Sequence, residues 1–301
     1  MRQFNRFYRD NFGEYTPSDK PTFRAVNVHA HNGCNLACRG CNHNSSVLAP
    51  GSSIDVDQML FDLENILPRI HIWSHISLLG GEPLLEPRCE EILTKIESLV
   101  DCKIKIFSNA ILLHKHHDWL IEHMKRGTIL RLSMHVSPMS AKGKINYKNV
   151  SDFIEYAEDK VDLDSTLEIS EPWSEKWFDM LKWEDDKFHP WEDNDLESSW
   201  SHCTCPQMQI YKGYLWKCAS IAYLSETLTS TKQIDDPAWK KYLKYKPTSV
   251  DAPIEEIYKF ADGQNKSSFI CNMCPANPSW FRAHRQLKGV KNVVSQTDDP
   301  V

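Results

Sequence analysis

Phe23 to Ser45 reads FRAVNVHAHNGCNLACRGCNHNS, and the fold turns on it. FRAVNVHA (Phe23 to Ala30) is a short run with the character of a β-strand. Three cysteines follow at once, Cys34, Cys38 and Cys41, spaced C-x3-C-x2-C. A loop this short brings three thiolates within reach of one centre. Cubane 4Fe–4S centres normally take four protein cysteines. A local set of three leaves one iron open to a substrate or cofactor, as the open position of a catalytic zinc site does. The alternatives on spacing alone are a structural zinc knuckle, with His31 or His43 as fourth ligand, and buried free thiols.

Outward from this stretch, strand-like and helix-like segments alternate. VDQMLFDLENIL places Met59, Leu60, Leu63, Ile66 and Leu67 on one helical face. Asp55 and Gln58 form a capping box before it and Pro68 follows its end. ISLL (Ile76 to Leu79) is the next strand and Cys89 to Val100 the next helix. KIKIF (Lys103 to Phe107), ILRLSMHV (Ile129 to Val136) and STLEIS (Ser165 to Ser170) read as strands, with helices at Trp119 to Lys125 and Val150 to Ala157. Strands alternating with helices imply a parallel sheet of βαβ units. The count is five or six strands, short of the eight of a closed barrel. Functional groups in such sheets gather after the C-terminal strand ends, and every candidate motif falls there.

The bulk numbers are those of an ordinary globular chain: 301 residues, 41% hydrophobic, 25% charged and a net charge of −6. No Lys/Arg run is long enough to track a phosphate backbone, so no nucleic-acid partner is expected. No stretch approaches the roughly 18 apolar residues of a membrane span. MRQFNRFYRDNFGEY lacks the features of a secretory signal, so a cytoplasmic location is the default. Ten cysteines in that compartment read as metal ligands or redox groups rather than disulfides. From Glu171 to Trp200 the composition changes, with five of the ten tryptophans and many acids. The expected division is an N-terminal arm (1–22), a core (23–170), a Trp-rich connector (171–200) and a smaller metal-organised domain (201–301).

CNLACRGC after the first strand, with LLGGEP (Leu78 to Pro83) after the second, resembles the radical S-adenosylmethionine superfamily. The likeness covers Phe23 to Ser170 and implies a partial (β/α)6 TIM-type barrel. It implies that Cys34, Cys38 and Cys41 bind a 4Fe–4S cluster whose fourth iron is chelated by the cofactor's methionine amino and carboxylate groups. Gly80, Gly81 and Glu82 correspond to the motif that helps hold the amino group. Glycines permit close backbone approach, and a carboxylate suits an ammonium partner. FSNAILL (Phe107 to Leu113) and RLSMH (Arg131 to His135) resemble later strands of the family, making Ser108, Asn109, Ser133 and His135 candidate cofactor contacts. All four also fit polar residues capping strand ends. Gly40 is a departure, because the family usually has an aromatic just before the third cysteine.

HCTCPQMQIYKGYLWKC supplies Cys203, Cys205 and Cys218, and CNMCP supplies Cys271 and Cys274. Such spacing suits zinc on its own terms. It also resembles the twitch domain, the shorter relative of the SPASM domain, which holds one auxiliary 4Fe–4S cluster. That resemblance implies Cys203, Cys218, Cys271 and Cys274 as ligands, with Cys205 an alternate ligand, a packed thiol or a substrate-facing group. Lys212-Gly213 is placed as a hairpin turn between aromatic-rich strands.

The remaining candidates read as structural. Cys89 and Cys102 are packed thiols. His114, His116 and His117 form a solvated connector, as do the acids near Asp185, Asp186, Asp193 and Asp195. The Trp-rich stretch is expected to close the open barrel edge, and Arg2, Arg6 and Arg9 lie on an exposed arm.

Taken with the resemblance, the expected activity is reductive cleavage of S-adenosylmethionine to a 5′-deoxyadenosyl radical that abstracts hydrogen from an unactivated C–H bond. The expected substrate is a small alcohol- or sugar-like molecule that is oxidised or rearranged. The alternatives are a peptide substrate, cross-linked or epimerised, and a zinc-stabilised binding or regulatory protein. A flavodoxin-type reductase is the implied electron donor, and neither nucleic acid nor membrane is an expected partner.

Overall fold

A computed structural model describes residues 18–48, 54–134, 139–170 and 177–281. His135 and the arginines at 2, 6 and 9 lie outside the described residues. Strand β1 (Thr22–His29) pairs in parallel with β2 (His71–Leu79), which continues through β3 (Lys103–Ser108) and β4 (Ile129–Ser133) to β5 (Leu167–Ser170). Helices α1 (Val56–Ile66), α2 (Cys89–Leu99), α3 (His117–Lys125) and α4 (Ala141–Ala157) fill the crossovers. This is the α/β pattern expected of βαβ units.

Alternation along the strands sorts two faces. Val26, Val28, Ile76, Leu78, Ile106, Leu130 and Leu132 are buried with Leu63, Ile66, Ile92, Ile96, Leu120 and Phe153 of the four helices. The opposite face is polar: Asn27 stands opposite Ser77, which stands opposite Lys105. Caps start the helices where the sequence supplies them. The Gln58 amide donates to Asp55 Oδ1 (3.0 Å) and the Gly143 amide to Ser140 Oγ (3.0 Å). α4 begins nine residues before the expected Val150, because its first half buries Asn146 and Asn149 rather than an apolar stripe.

A sixth parallel strand, β8 (Met208–Tyr211), sits on the far side of β1, not beyond β5. It turns at Lys212 and Gly213, with φ of 49° and 78°, into antiparallel β9 (Tyr214–Trp216), the type I′ hairpin form. A two-residue edge strand, β10 (Thr248–Ser249), completes the order β10-β9-β8-β1-β2-β3-β4-β5. Between β5 and β8 lies a separate hairpin of β6 (Lys182–Glu184) and β7 (Lys187–His189), turned at Asp185 and Asp186 with positive φ.

The compositional break at Glu171 is therefore a break in rhythm and not in the sheet. Met208, Ile210, Leu215 and Ile257 share the main core with β1. A second cluster, Leu224, Leu228, Trp239, Tyr242, Ile270 and Met273, packs with Val47, Leu181 and Phe188 beside it.

Candidate active site

The three-cysteine loop leaves β1 while still paired to the end of β2. The Ala30 amide donates to Leu79 O (2.6 Å), Gly81 to His31 O (2.7 Å) and Glu82 to Gly33 O (2.9 Å). A Cβ on Gly81 would lie 1.8 Å from the Gly33 carbonyl oxygen, so the approach of these two segments requires glycine there.

Glu82 then turns inward and is 1% exposed. Its carboxylate accepts from Ser108 Oγ (2.8 Å), the Asn109 amide (2.8 Å) and the Leu84 amide (3.3 Å). Burial pushes its pKa up to about 7, against the pull of those three donors. They occupy three of the roughly four lone-pair positions of a carboxylate. Asn109 carries the tie onward: its Nδ2 donates to Asn35 Oδ1 (2.7 Å) and reaches Cys34 Sγ at 3.7 Å. Glu82 thus fastens the ends of β2 and β3 and, through Asn109, the cysteine loop.

Ser108 and Asn109 also cap their own strand end, accepting from the Ala110 and Ile111 amides (both 3.1 Å). Three residues missed in the sequence brace the same turn. Asn146 Nδ2 donates to Asn109 O (2.8 Å), Asn149 Nδ2 to Ile111 O (2.8 Å) and Lys142 Nζ to Asn35 O (2.7 Å). The only available signal was Asn146 and Asn149 three residues apart, one face of a helix. Ser133 is half-buried at the end of β4, in register with Ser170.

Cys34 is buried, while Cys38 and Cys41 are half-buried. Burial pushes the Cys34 and Cys41 thiols above their ordinary range, and neighbouring Cys38 and Glu82 push Cys34 further. Metal binding here must displace protons, since the thiolate is the ligand. Around the loop Asn35 Nδ2, His43 Nε2, Ser45 Oγ and Ser46 Oγ are buried without a hydrogen-bond partner. Unmet donors beside thiols suit a centre that brings acceptor sulfurs, so the loop fits a 4Fe–4S cluster. Among the described residues no group of three or more His, Cys, Asp or Glu is arranged to hold a single metal ion. The cysteines of a cubane stand around a cube rather than one ion, which is compatible with that spread.

Gly40 faces a strap. A Cβ there would lie 2.8 Å from Phe178 O and 3.2 Å from the Phe281 ring, so no aromatic fits at this position. Arg39 binds Asp179 of the strap through Nε at 2.9 Å to both carboxylate oxygens. Phe178 and Met180 pack on Cys205, with Cys203, Cys218 and Cys274 around them. Phe178 therefore lies against Gly40 through its backbone and against the second cysteine group through its ring.

The second group assembles from three separate places. Cys205 is 2% exposed, with its sulfur 4.0 Å from that of Cys203. Hydrogen bonds with Cys203 and Cys218 push its thiol well up, and the same contact pulls Cys218 down. Cys271 and Cys274 are pushed up by burial first and then by Cys203 and Cys218. Lys217, anchored on Gly263 O (2.6 Å), lies within electrostatic reach of Cys203, Cys218 and Cys271. All four expected ligands come together, and Cys205 comes with them. Cys89 and Cys102 instead pack into the main core.

Residues 28–167 match the Radical SAM superfamily. The chain carries a radical SAM domain. That domain makes the protein an enzyme and implies a 4Fe–4S cluster and S-adenosylmethionine as its cofactors. Its fold is similar to that of BtrN in complex with AdoMet and 2-DOIA (15% identity, 84% of this chain and 92% of that one, TM-score 0.44). It is also similar to native anSMEcpe with bound AdoMet and Cp18Cys peptide (12%, 83% and 85%, TM-score 0.42) and to Streptococcus suis SuiB (12%, 75% and 69%, TM-score 0.35). No curated protein matches the sequence. Among the described residues no helix is long and apolar enough to cross a membrane.

Proposed function

We propose that Cys34, Cys38 and Cys41 hold the 4Fe–4S cluster of the radical SAM domain. Gly80, Gly81, Glu82, Ser108, Asn109, Ser133 and His135 hold S-adenosylmethionine beside it. When bound, the pair supplies the one-electron chemistry that cleaves the cofactor and removes hydrogen from an unactivated C–H bond. The substrate is a small molecule, oxidised or rearranged.

The observation that carries this reading is the Glu82 tie. A carboxylate that is 1% exposed costs several kcal/mol unless it is well satisfied. Here it locks strand ends around the cysteine loop and keeps capacity for one more donor, which an ammonium supplies. Asn109 orients Cys34, and Lys142, Asn146 and Asn149 stiffen the turn that carries Asn109. The strap at Phe178 to Met180 packs against Gly40.

Cys203, Cys218, Cys271 and Cys274 hold a second, auxiliary cluster in the same reading, with Cys205 as the alternate ligand to Cys203. Mutual thiol contacts and the nearby Lys217 ammonium support a centre that gathers negative charge.

Anaerobic reconstitution followed by dithionite and S-adenosylmethionine tests the activity. The expected result is 5′-deoxyadenosine from the wild type and none from Cys41→Ala. Stoichiometric zinc with no cofactor cleavage would sink the reading.

A further inference from the structure

The polar face of the sheet holds a charged group that the proposed cofactor site does not use. Lys105 on β3 is 7% exposed at its side chain, yet its Nζ stands 2.6 Å from Glu168 Oε1 on β5. Arg131 on β4 lies between these strands and places a guanidinium nitrogen 2.9 Å from Glu168 Oε2. Each carboxylate oxygen is thus taken by one cation. The Arg131 guanidinium also sits 5.5 Å from the centre of the Phe107 ring.

Stability does not explain such a group. Arg131 and Glu168 are 30% and 36% exposed at their side chains, so solvent screens these pairs and limits the worth of each to about 1 kcal/mol or less, and the other face of these same strands is filled with Ile and Leu. Position does offer an explanation. Phe107 immediately precedes Ser108 and Asn109, and Arg131 lies two residues before Ser133. That places the Arg131 position about 7 Å, and the Lys105 position about 10 Å, along the strand below the rim where the cofactor is proposed to lie. Glu168 and Ser170 continue the same wall on β5, in register with Arg131 and Ser133. The surroundings are positive as well as polar. His75, on the neighbouring strand, has its pKa pushed down to about 3, first by burial and then by Lys105 and Arg24, with Arg131 adding to them and Glu168 opposing.

We propose that Lys105 and Arg131 receive the anionic group, carboxylate or phosphate, of a compact substrate, which joins Glu168 between the two cations. This rests on the radical SAM reading only for the placement of the reacting end. Glu168 marks a point where an oxyanion is held from two sides, and a planar guanidinium suits bidentate contact with either anion. A substrate anchored there reaches the rim with a short carbon chain, so its reacting C–H bond lies toward Ser133 and the proposed cofactor.

The test is isothermal titration of the reconstituted full chain, with S-adenosylmethionine present, at fixed ionic strength. The probes are inorganic phosphate and succinate, with glycerol as the neutral control. Either anion binding while glycerol does not is the expected result, and the better of the two identifies phosphate ester or carboxylate. Arg131→Gln weakens that binding tenfold or more. Glu168→Gln, which removes the competing carboxylate, tightens it several-fold, an outcome that damage to a structural ion pair would not give. The proposal is overturned if neither anion binds the wild type, or if binding ignores Arg131→Gln and fails to rise in Glu168→Gln. Cofactor cleavage under dithionite is read on the same samples. Its loss with anion binding intact counts against the radical reading and not against this site.

Discussion

The two cysteine groups are built in opposite ways. Cys34, Cys38 and Cys41 share one loop after one strand, and their surroundings are tied together by a single buried carboxylate. Cys203, Cys205, Cys218, Cys271 and Cys274 come from both sides of a hairpin and from a turn some fifty residues later. Only tertiary packing unites them. In the first group the polar neighbours are unmet donors, whereas in the second the thiols contact one another. The first region is organised by its backbone, the second by its side chains. The two also adjoin. Tyr223 is fully buried, its ring 5.1 Å from that of His43, and it is within electrostatic reach of both Cys41 and Cys218.

This contrast can be broken most severely at Gly81. A methyl group 1.8 Å from Gly33 O forces the β2 end away from the cysteine loop, at a cost of about 3 kcal/mol or more. Gly81→Ala should lower the denaturation midpoint and empty the first cysteine group of iron, while the second group keeps its share. Equal loss from both would show that the backbone frame is common to them.

Asp179→Asn probes the strap between the groups. The Arg39–Asp179 pair is 41% and 17% exposed at its side chains, so screening limits its worth to about 1 kcal/mol or less. A small fall in melting temperature is expected, with both centres still loading. Unfolding of the whole chain would mean that the strap governs the fold.

A pH series separates the sheet interior from both groups. Burial holds the folded pKa of His75 at about 3, against the ordinary imidazole value of 6.5, so the unfolded chain binds more protons between those values. Stability from this residue is complete above pH 6.5 and is lost as pH falls from there toward 3. His75→Gln should shrink the difference in unfolding free energy between pH 7 and pH 5 by about 1–2 kcal/mol. An unchanged pH profile would contradict the burial argument.

What could be read from the sequence follows the same division. Cys34 to Cys41, the Gly80–Glu82 motif and the βα rhythm are local patterns, and they sit at strand ends as the patterns imply. The placement of β8 beside β1 was not legible, because strand order across the sheet depends on packing that no neighbouring residue encodes. The early start of α4 was hidden because Asn146 and Asn149 serve the Asn109 turn instead of an apolar stripe. The choice between Cys203 and Cys205 stayed open for a similar reason. Spacing favours one, while packing buries the other beside Cys218.

The existence of two separate centres, of which the first cleaves the cofactor, is the proposal with the sharpest test. Iron and sulfide analysis of the anaerobically reconstituted wild type, Cys41→Ala and Cys218→Ala, each paired with a 5′-deoxyadenosine assay, tests it most directly. The expected result is about eight irons in the wild type and about four in each variant, with 5′-deoxyadenosine lost in Cys41→Ala and still formed by Cys218→Ala. Cofactor cleavage that survives Cys41→Ala, or a wild type holding about four irons that Cys218→Ala removes, would contradict it.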